Sequence, residues 1–361
     1  MSKYSSVHYQ DYLELEKILS AQNPRSLEIE GKTAHDEMLF IIIHQVYELW
    51  FKQMNHELKD VYHHFEKDKV NEKSISTSVH RLDRVIEILK LLIQQVDVLE
   101  TMTPLDFLDF RSYLFPASGF QSFQFREFEV LLGLKREKRH TAYMQVFNEK
   151  HKSMLDKLEN SKSMLDLVND WLERTPFLNF GDFDFLSHYR HAVEKMLAKE
   201  KQAIENTPIL SEQFKEMRLK MLGDTDSYFA IVLNEDHHQK LREEGKTSLS
   251  YKAMIAALLI NLYRDEPVLH QPFRFLQGLT DIDQLVTRWR YRHAHMVLRM
   301  LGKKVGTGGS SGHEYLKKTA EKHSIFSDLY NISTLLIPRS DLPELPIELK
   351  NTLGFHFSTK A

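Results

Sequence analysis

Val79–Leu99 reads VHRLDRVIEILKLLIQQVDVL, and its apolar residues decide the fold class. Leu82, Val85, Ile86, Leu89, Leu92, Ile93 and Val96 recur at steps of three and four, which gathers them on one face of a helix. A strand would alternate at a step of two, with Asn-Gly or Asp-Gly turns between runs, and the chain has neither dipeptide. The helical spacing returns through other proline-free stretches, Arg25–Thr103, Ala117–Thr175, Ile209–Glu266 and Phe273–Ile337. Thr103-Pro104-Leu105-Asp106 supplies a capping Thr, a Pro at the first helical position and an acid at the third. Thr280-Asp281-Ile282-Asp283 predicts a similar start, and Gly302, followed by Lys303 and Lys304, predicts a stop. The expected class is all-α, with the helices packed into a bundle.

Composition narrows the chemistry. The 361 residues are 42% hydrophobic and 27% charged, enough apolar material for a substantial core. A net charge of −3 gives no basic field for nucleic acid or an anionic membrane, so neither is expected as a partner. The absence of cysteine excludes disulfides, thiolate zinc, iron–sulfur ligation and covalently attached haem. The 19 histidines remain as soft ligands. The N-terminus lacks the apolar stretch of a signal peptide, and no apolar run, Met38–Ile43 among them, is long enough to span a bilayer. The chain is expected to be soluble and cytoplasmic. One domain over 1–361 is expected, with residues 1–30 as an N-terminal arm and 337–361, holding three prolines, as an irregular tail.

Four segments could carry chemistry. In Asp36–Leu58, the run Met38–Ile43 is apolar on all sides, which predicts a helix buried around its girth near His44. His44 reads either as a core histidine with satisfied nitrogens or as a polar group aimed into an apolar pocket, with Phe40 one turn earlier. In Trp289–Leu301, His293 lies on the stripe of Ile282, Val286, Trp289, Met296, Val297 and Met300. His295 is turned away by roughly 200°, at ~100° per residue, among Arg288, Arg292 and Arg299. An axial metal ligand must be a neutral imidazole in a dry setting, which suits His293 and not His295; a plain core histidine is the alternative. Gly306–Gly312, GTGGSSG, matches no nucleotide-binding spacing and reads as a linker or a loop that closes on a small ligand. In Met102–Arg126, Phe107 and Arg111 stand one turn apart, pairing an apolar ring with a guanidinium suited to a carboxylate, or to a surface ion pair. His63–His64 and His237–His238 are adjacent and cannot share a helix face, while His188 and His191 could, without further ligands beside them.

Taken together, HDEMLFIIIHQVYELWFKQ, TPLDFLDFRSYLFPASGFQSFQFR, WRYRHAHMVLRMLGKKVGTGGSSG and the paired tyrosines of YQDYL resemble the tryptophan 2,3-dioxygenase family. The resemblance extends through LERTPFL, LSYKAMIAALLINLYRDEP and NISTLLIPR, with 134–248 the least characteristic region. It implies an all-α bundle enclosing a b-type haem, whose iron His293 would ligate. His44 would act on the distal side and hydrogen-bond the indole N–H. Arg111 and Thr307 would hold the substrate's carboxylate and ammonium, and Phe40 and Phe107 would wall the indole. Trp289, Gly308 and Ser310 would line the haem pocket. Tyr9 and Tyr12 would come from a neighbouring subunit of a homotetramer, a dimer of dimers with exchanged arms. The implied reaction joins L-tryptophan and O2 to give N-formylkynurenine. A sister enzyme acting on another indole would lack Arg111 or Thr307, and a haem-based gas sensor would need no carboxylate clamp.

Overall fold

Leu82, Val85, Leu89, Leu92 and Val96, the stripe of the opening stretch, are all buried, and two other long helices close over them. The computed structural model describes residues 6–135, 147–302, 304, 316–317, 320–321 and 323–355. Along it run α1 (Tyr9–Tyr12), α2 (Leu15–Leu19), α3 (Arg25–Glu30), α4 (His35–Phe65), α5 (Glu72–Leu99), α6 (Pro104–Arg111) and α7 (Phe123–Leu132). They are followed by α8 (Glu149–Glu159), α9 (Met164–Glu173), α10 (Phe185–Glu205), α11 (Glu212–Val232), α12 (Glu235–Glu243), α13 (Tyr251–Leu262) and α14 (Pro267–Leu301). Strand among the described residues is limited to one antiparallel pair, Asn179–Phe180 with Phe183–Asp184, turned by Gly181 at φ +57°. The chain is all-α, as expected.

The frame is α4, α5 and α14, with α5 packed against both of the others. Gly278 on α14 lies so close to α5 that a Cβ there would come within 3.1 Å of the Leu82 side chain, which is why a glycine interrupts the apolar stripe. Helix α13 is buried without a break from Ala253 to Ile260 and packs on α9 and α14, the pattern of a helix enclosed on all sides. Buried carboxylates then stitch loops to helices. Asp283 of α14 accepts from the backbone N–H of Ile325 and Phe326 and from Ser324 Oγ at 2.7 Å. Asp328 accepts from the N–H of Ser248 and Leu249 and from the Thr247 hydroxyl. Glu37 of α4 accepts from the N–H of Arg25 at 2.7 Å and Ser26 at 3.0 Å, two donors that the start of α3 cannot satisfy internally.

Three local expectations are corrected. Thr280 does not start a helix: α14 runs unbroken through it, Thr280 Oγ1 donates back to Gln277 O, and the stripe of Leu276, Leu279 and Ile282 is continuous across the supposed boundary. Pro272 sits inside the same helix, near its start. Helix α4 is not buried around its girth near His44, since Met38 and Ile42 are exposed and only one side meets α5 and α6. The segment from 337 onward is not wholly irregular, because Ile347–Leu353 forms a helix with Leu349 and Leu353 buried. The starts and stops at Thr103 and Gly302 are as expected, the first with a full capping box to Asp106. No helix among the described residues is long and apolar enough to cross a membrane.

Candidate functional site

Helices α4, α6, α7 and α14 bring the predicted residues together. His44 follows Phe40 by one turn of α4, and their ring centroids are 4.1 Å apart. His44 Nδ1 donates to the Phe40 carbonyl at 2.7 Å. Because a carbonyl can only accept, the proton of the neutral ring is on Nδ1, and Nε2 is left as an acceptor. Burial lowers the His44 pKa below 6.5, outweighing that backbone bond, so the neutral ring is the form present at pH 7. His44 nevertheless keeps accessible surface.

Helix α6 supplies the facing wall. Phe107 stacks on Phe40 at 5.7 Å, and fully buried Phe110 stands edge-on to both, at 5.4 and 5.6 Å. Arg111, half-buried, closes α6 one turn beyond Phe107. From α14, the ring of Trp289 stacks on His293, 5.5 Å between centroids and 13° from parallel. Trp289 is backed in turn by Phe125 of α7 at 5.0 Å and by Phe51 and Tyr47 of α4 at 6.0 and 6.1 Å. Burial, then the neighbouring His44, pushes the His293 pKa down to about 4. His293 is therefore a neutral imidazole near a second one. His295, the rival ligand, is exposed, and the adjacent Arg292 pairs outward with Asp97 and Glu100.

A charged cluster behind Trp289 was not foreseen. Glu129 of α7 is held by Arg126 at 2.5 Å, by Arg290 of α14 and, at 3.8 Å, by His323, all of them buried. Arg290 also donates to the His323 carbonyl at 3.3 Å. Burial would raise the Glu129 pKa, but the charges of Arg126 and Arg290 and the contact with His323 prevail and hold the carboxyl well below its usual range. The signal was in the sequence: Arg126 and Glu129 stand three apart inside FQFREFEVLL, a run otherwise too apolar for a solvated face. Tyr9 and Tyr12 are 69% and 75% exposed on α1, which buries nothing, and one chain does not bring them to His44. Thr307, Gly308 and Ser310 lie outside the described residues. A solvent-open hollow over α8, lined by Glu149, Lys152, Asp156 and Asn160, shares no residue with this site.

Fold and site together define an all-α protein with two neutral histidines set among aromatic rings, an arrangement suited to a flat apolar ligand. The family model described as tryptophan 2,3-dioxygenase matches residues 1–336, and the chain belongs to that family. It is 49% identical to the tryptophan 2,3-dioxygenase of Bdellovibrio bacteriovorus, over 98% of this chain and 100% of that one. It is 48% identical to that of Alteromonas mediterranea, over 97% of both chains. It is 45% identical to that of Dictyostelium discoideum, over 99% of this chain and 90% of that one.

Proposed function

We propose that this chain opens the indole ring of L-tryptophan with O2, giving N-formylkynurenine, the first step in degrading tryptophan through kynurenine. The observation that carries the reading is a chain of this family in which His44 packs on Phe40, Phe40 on Phe107, and His293 on Trp289. The residues fit a b-type haem. His293, neutral, desolvated and stacked on the parallel Trp289 ring, would hold the haem iron. Trp289 would line the same pocket. When bound, the haem supplies the binding and activation of O2.

The chain's own residues do the rest. His44 Nε2, the acceptor left by the Nδ1 bond, takes the indole N–H. Phe40 and Phe107, stacked on one another, present a flat apolar wall to the indole and keep water from the C2–C3 bond, each carbon of which gains one oxygen atom in the product. Arg111, at the end of α6, takes the carboxylate, and a part in holding the carboxylate and ammonium is proposed for Thr307 from the family resemblance alone. Tyr9 and Tyr12 complete the pocket of a neighbouring subunit in a cytoplasmic homotetramer with exchanged arms. Their exposure in a single chain accords with a role outside it.

Haem-loaded protein mixed anaerobically with L-tryptophan and then with O2 should release N-formylkynurenine, read by its near-ultraviolet absorbance. Loss of haem binding in His293→Ala, but not in His295→Ala, is expected alongside. The Arg111 assignment is sharper still. Truncating one partner of a desolvated charge pair costs roughly 2–5 kcal/mol, so Arg111→Ala should lower kcat/KM for tryptophan by at least about tenfold. Tryptamine, with no carboxylate, should lose little further. Equal losses for both substrates would remove Arg111 from substrate binding.

A further inference from the structure

Helix α3, six residues long, is fastened at both ends by carboxylates, and the two fastenings lead to the helices that carry Phe40 and Arg111. At its start, Glu37 of α4 takes the N–H groups of Arg25 and Ser26, and the buried Ser26 hydroxyl accepts from the Ala34 N–H at 2.8 Å, just before α4 begins. At its end, Glu30 Oε1 accepts from the Tyr113 hydroxyl at 2.9 Å. Tyr113 belongs to the single 3-10 turn Ser112–Leu114, which follows Arg111 without a break, and α3 packs on that turn. The Tyr113 ring is half-buried against the core while its hydroxyl reaches Glu30. One short helix therefore spans from α4 to the chain just beyond α6.

Arg111 needs such a fastening more than the other residues of the site do. Phe40 and His44 lie inside a helix of 31 residues, and Phe107 and Phe110 are fixed by ring contacts. Arg111 is the last residue of an eight-residue helix. At such an end the final carbonyls lack helical partners and the backbone frays. A guanidinium on a long side chain magnifies any drift of its own backbone, and a carboxylate accepts its two parallel bonds only in a narrow geometry. Two residues on, Tyr113 steadies the chain, ring against core and hydroxyl against Glu30. The bond to Glu30, then desolvation and the charges of Glu30, Asp109 and Glu37, hold the phenol pKa above its usual range, so it remains a donor.

We propose that Glu30 and Tyr113 are positioning residues for Arg111, their bond bracing the end of α6 through α3 against α4 so that the guanidinium meets the substrate's carboxylate. The proposal rests on the reading of Arg111 as that carboxylate's partner, and Arg111→Ala assayed in parallel separates the two. In the haem-loaded full-length protein, Tyr113→Phe keeps the ring and removes the donor, while Glu30→Ala removes the acceptor. Each should raise KM for tryptophan about three- to tenfold, as for one net hydrogen bond, with kcat held within about twofold. The kcat/KM for tryptamine, which lacks the carboxylate, should not change. Glu30→Gln keeps an acceptor oxygen and should retain most of the affinity, and Tyr113→Phe with Glu30→Ala should be no worse than either alone. Equal losses for tryptamine and tryptophan would mean that the pair supports the fold only. That result overturns the proposal, as does an unchanged KM for tryptophan or additive losses in the double variant. If Arg111→Ala costs both substrates alike, the reading of Arg111 falls and the brace with it. A selective loss in Arg111→Ala with none in Tyr113→Phe sinks the brace alone.

Discussion

Helix α14 carries two arginine–carboxylate clusters within three residues of His293, one on each side. Arg290 reaches inward to Glu129 with 4% of its surface exposed, whereas Arg292 reaches outward to Asp97 and Glu100 with 36% of its side chain exposed. The pairing chemistry is the same and the solvent is not. Around Arg290 every charge has left water, so each depends on the others for its solvation. Around Arg292 water and salt compete for the same contacts. The inner cluster can therefore fix where α14 lies against α7, with Phe125 relaying that position to Trp289 at 5.0 Å and Trp289 to His293 at 5.5 Å. The outer cluster can only bias it.

The largest effect should come from the inner side. Glu129→Ala strands Arg126 and Arg290 in the interior, at a cost of roughly 3–5 kcal/mol for a broken buried pair. Denaturant unfolding should show it as a large fall in midpoint, and a loss under 1 kcal/mol would erase the distinction between the two sides.

Next comes pH, acting on the segment between them. His293 has a folded pKa of about 4 against 6.5 in the unfolded chain. Between those values the unfolded state binds more protons, so stability is full above pH 6.5 and falls as the pH drops toward 4. The shift is worth at most about 3 kcal/mol at 1.36 kcal/mol per unit. His44 acts in the same direction. Glu129, with its depressed pKa, adds its own loss as the pH falls through the usual carboxylate range and below it. Haem-free protein titrated from pH 7 to 4 should weaken progressively, and His293→Phe should flatten that part of the curve. A wild-type curve flat down to pH 4.5 would show that His293 is solvated.

The smallest effect belongs to the outer side. Arg292→Ala should cost less than about 1 kcal/mol and lose even that in high salt. A cost matching Glu129→Ala would make the two clusters equivalent.

Much of the frame was legible because periodicity reports directly on burial. The stripe of Val79–Leu99 and the side of α14 that carries His293 follow from counting, as does the exposure of His295. Thr280 misled because capping residues also tolerate helix interiors when the apolar stripe runs through them and the hydroxyl bonds back along the helix. The girth of α4 misled because a run apolar on all sides shows what could be buried, not what one chain supplies to bury it. Glu129 with Arg290 was invisible for a different reason. The two are 161 residues apart, and no local pattern couples them. Phe40, Phe107 and Arg111 could be named from the family's motifs, but the stacking of Phe107 on Phe40 is a property of two helices meeting, which neither helix encodes alone.

Glu37 has a consequence for the arm. It grips the first two N–H groups of α3 one turn ahead of Phe40, so the arm leaves from a root fixed to the very helix that carries Phe40 and His44. Gln45 of the same helix holds the chain again, accepting from Gln22 and donating to the Ala21 carbonyl, so the leash from Ala21 back to Tyr12 is nine residues, five of them in α2, and reaches less than about 30 Å. A leash of fixed root and limited length confines its tip to a small volume, and within an assembly that volume sets a local concentration in the millimolar range for a short linker. Tyrosines delivered in this way would need only feeble contacts of their own to stay at a neighbour's recess. The geometry of the tether, rather than the strength of the tyrosines' grip, would then decide which recess they serve.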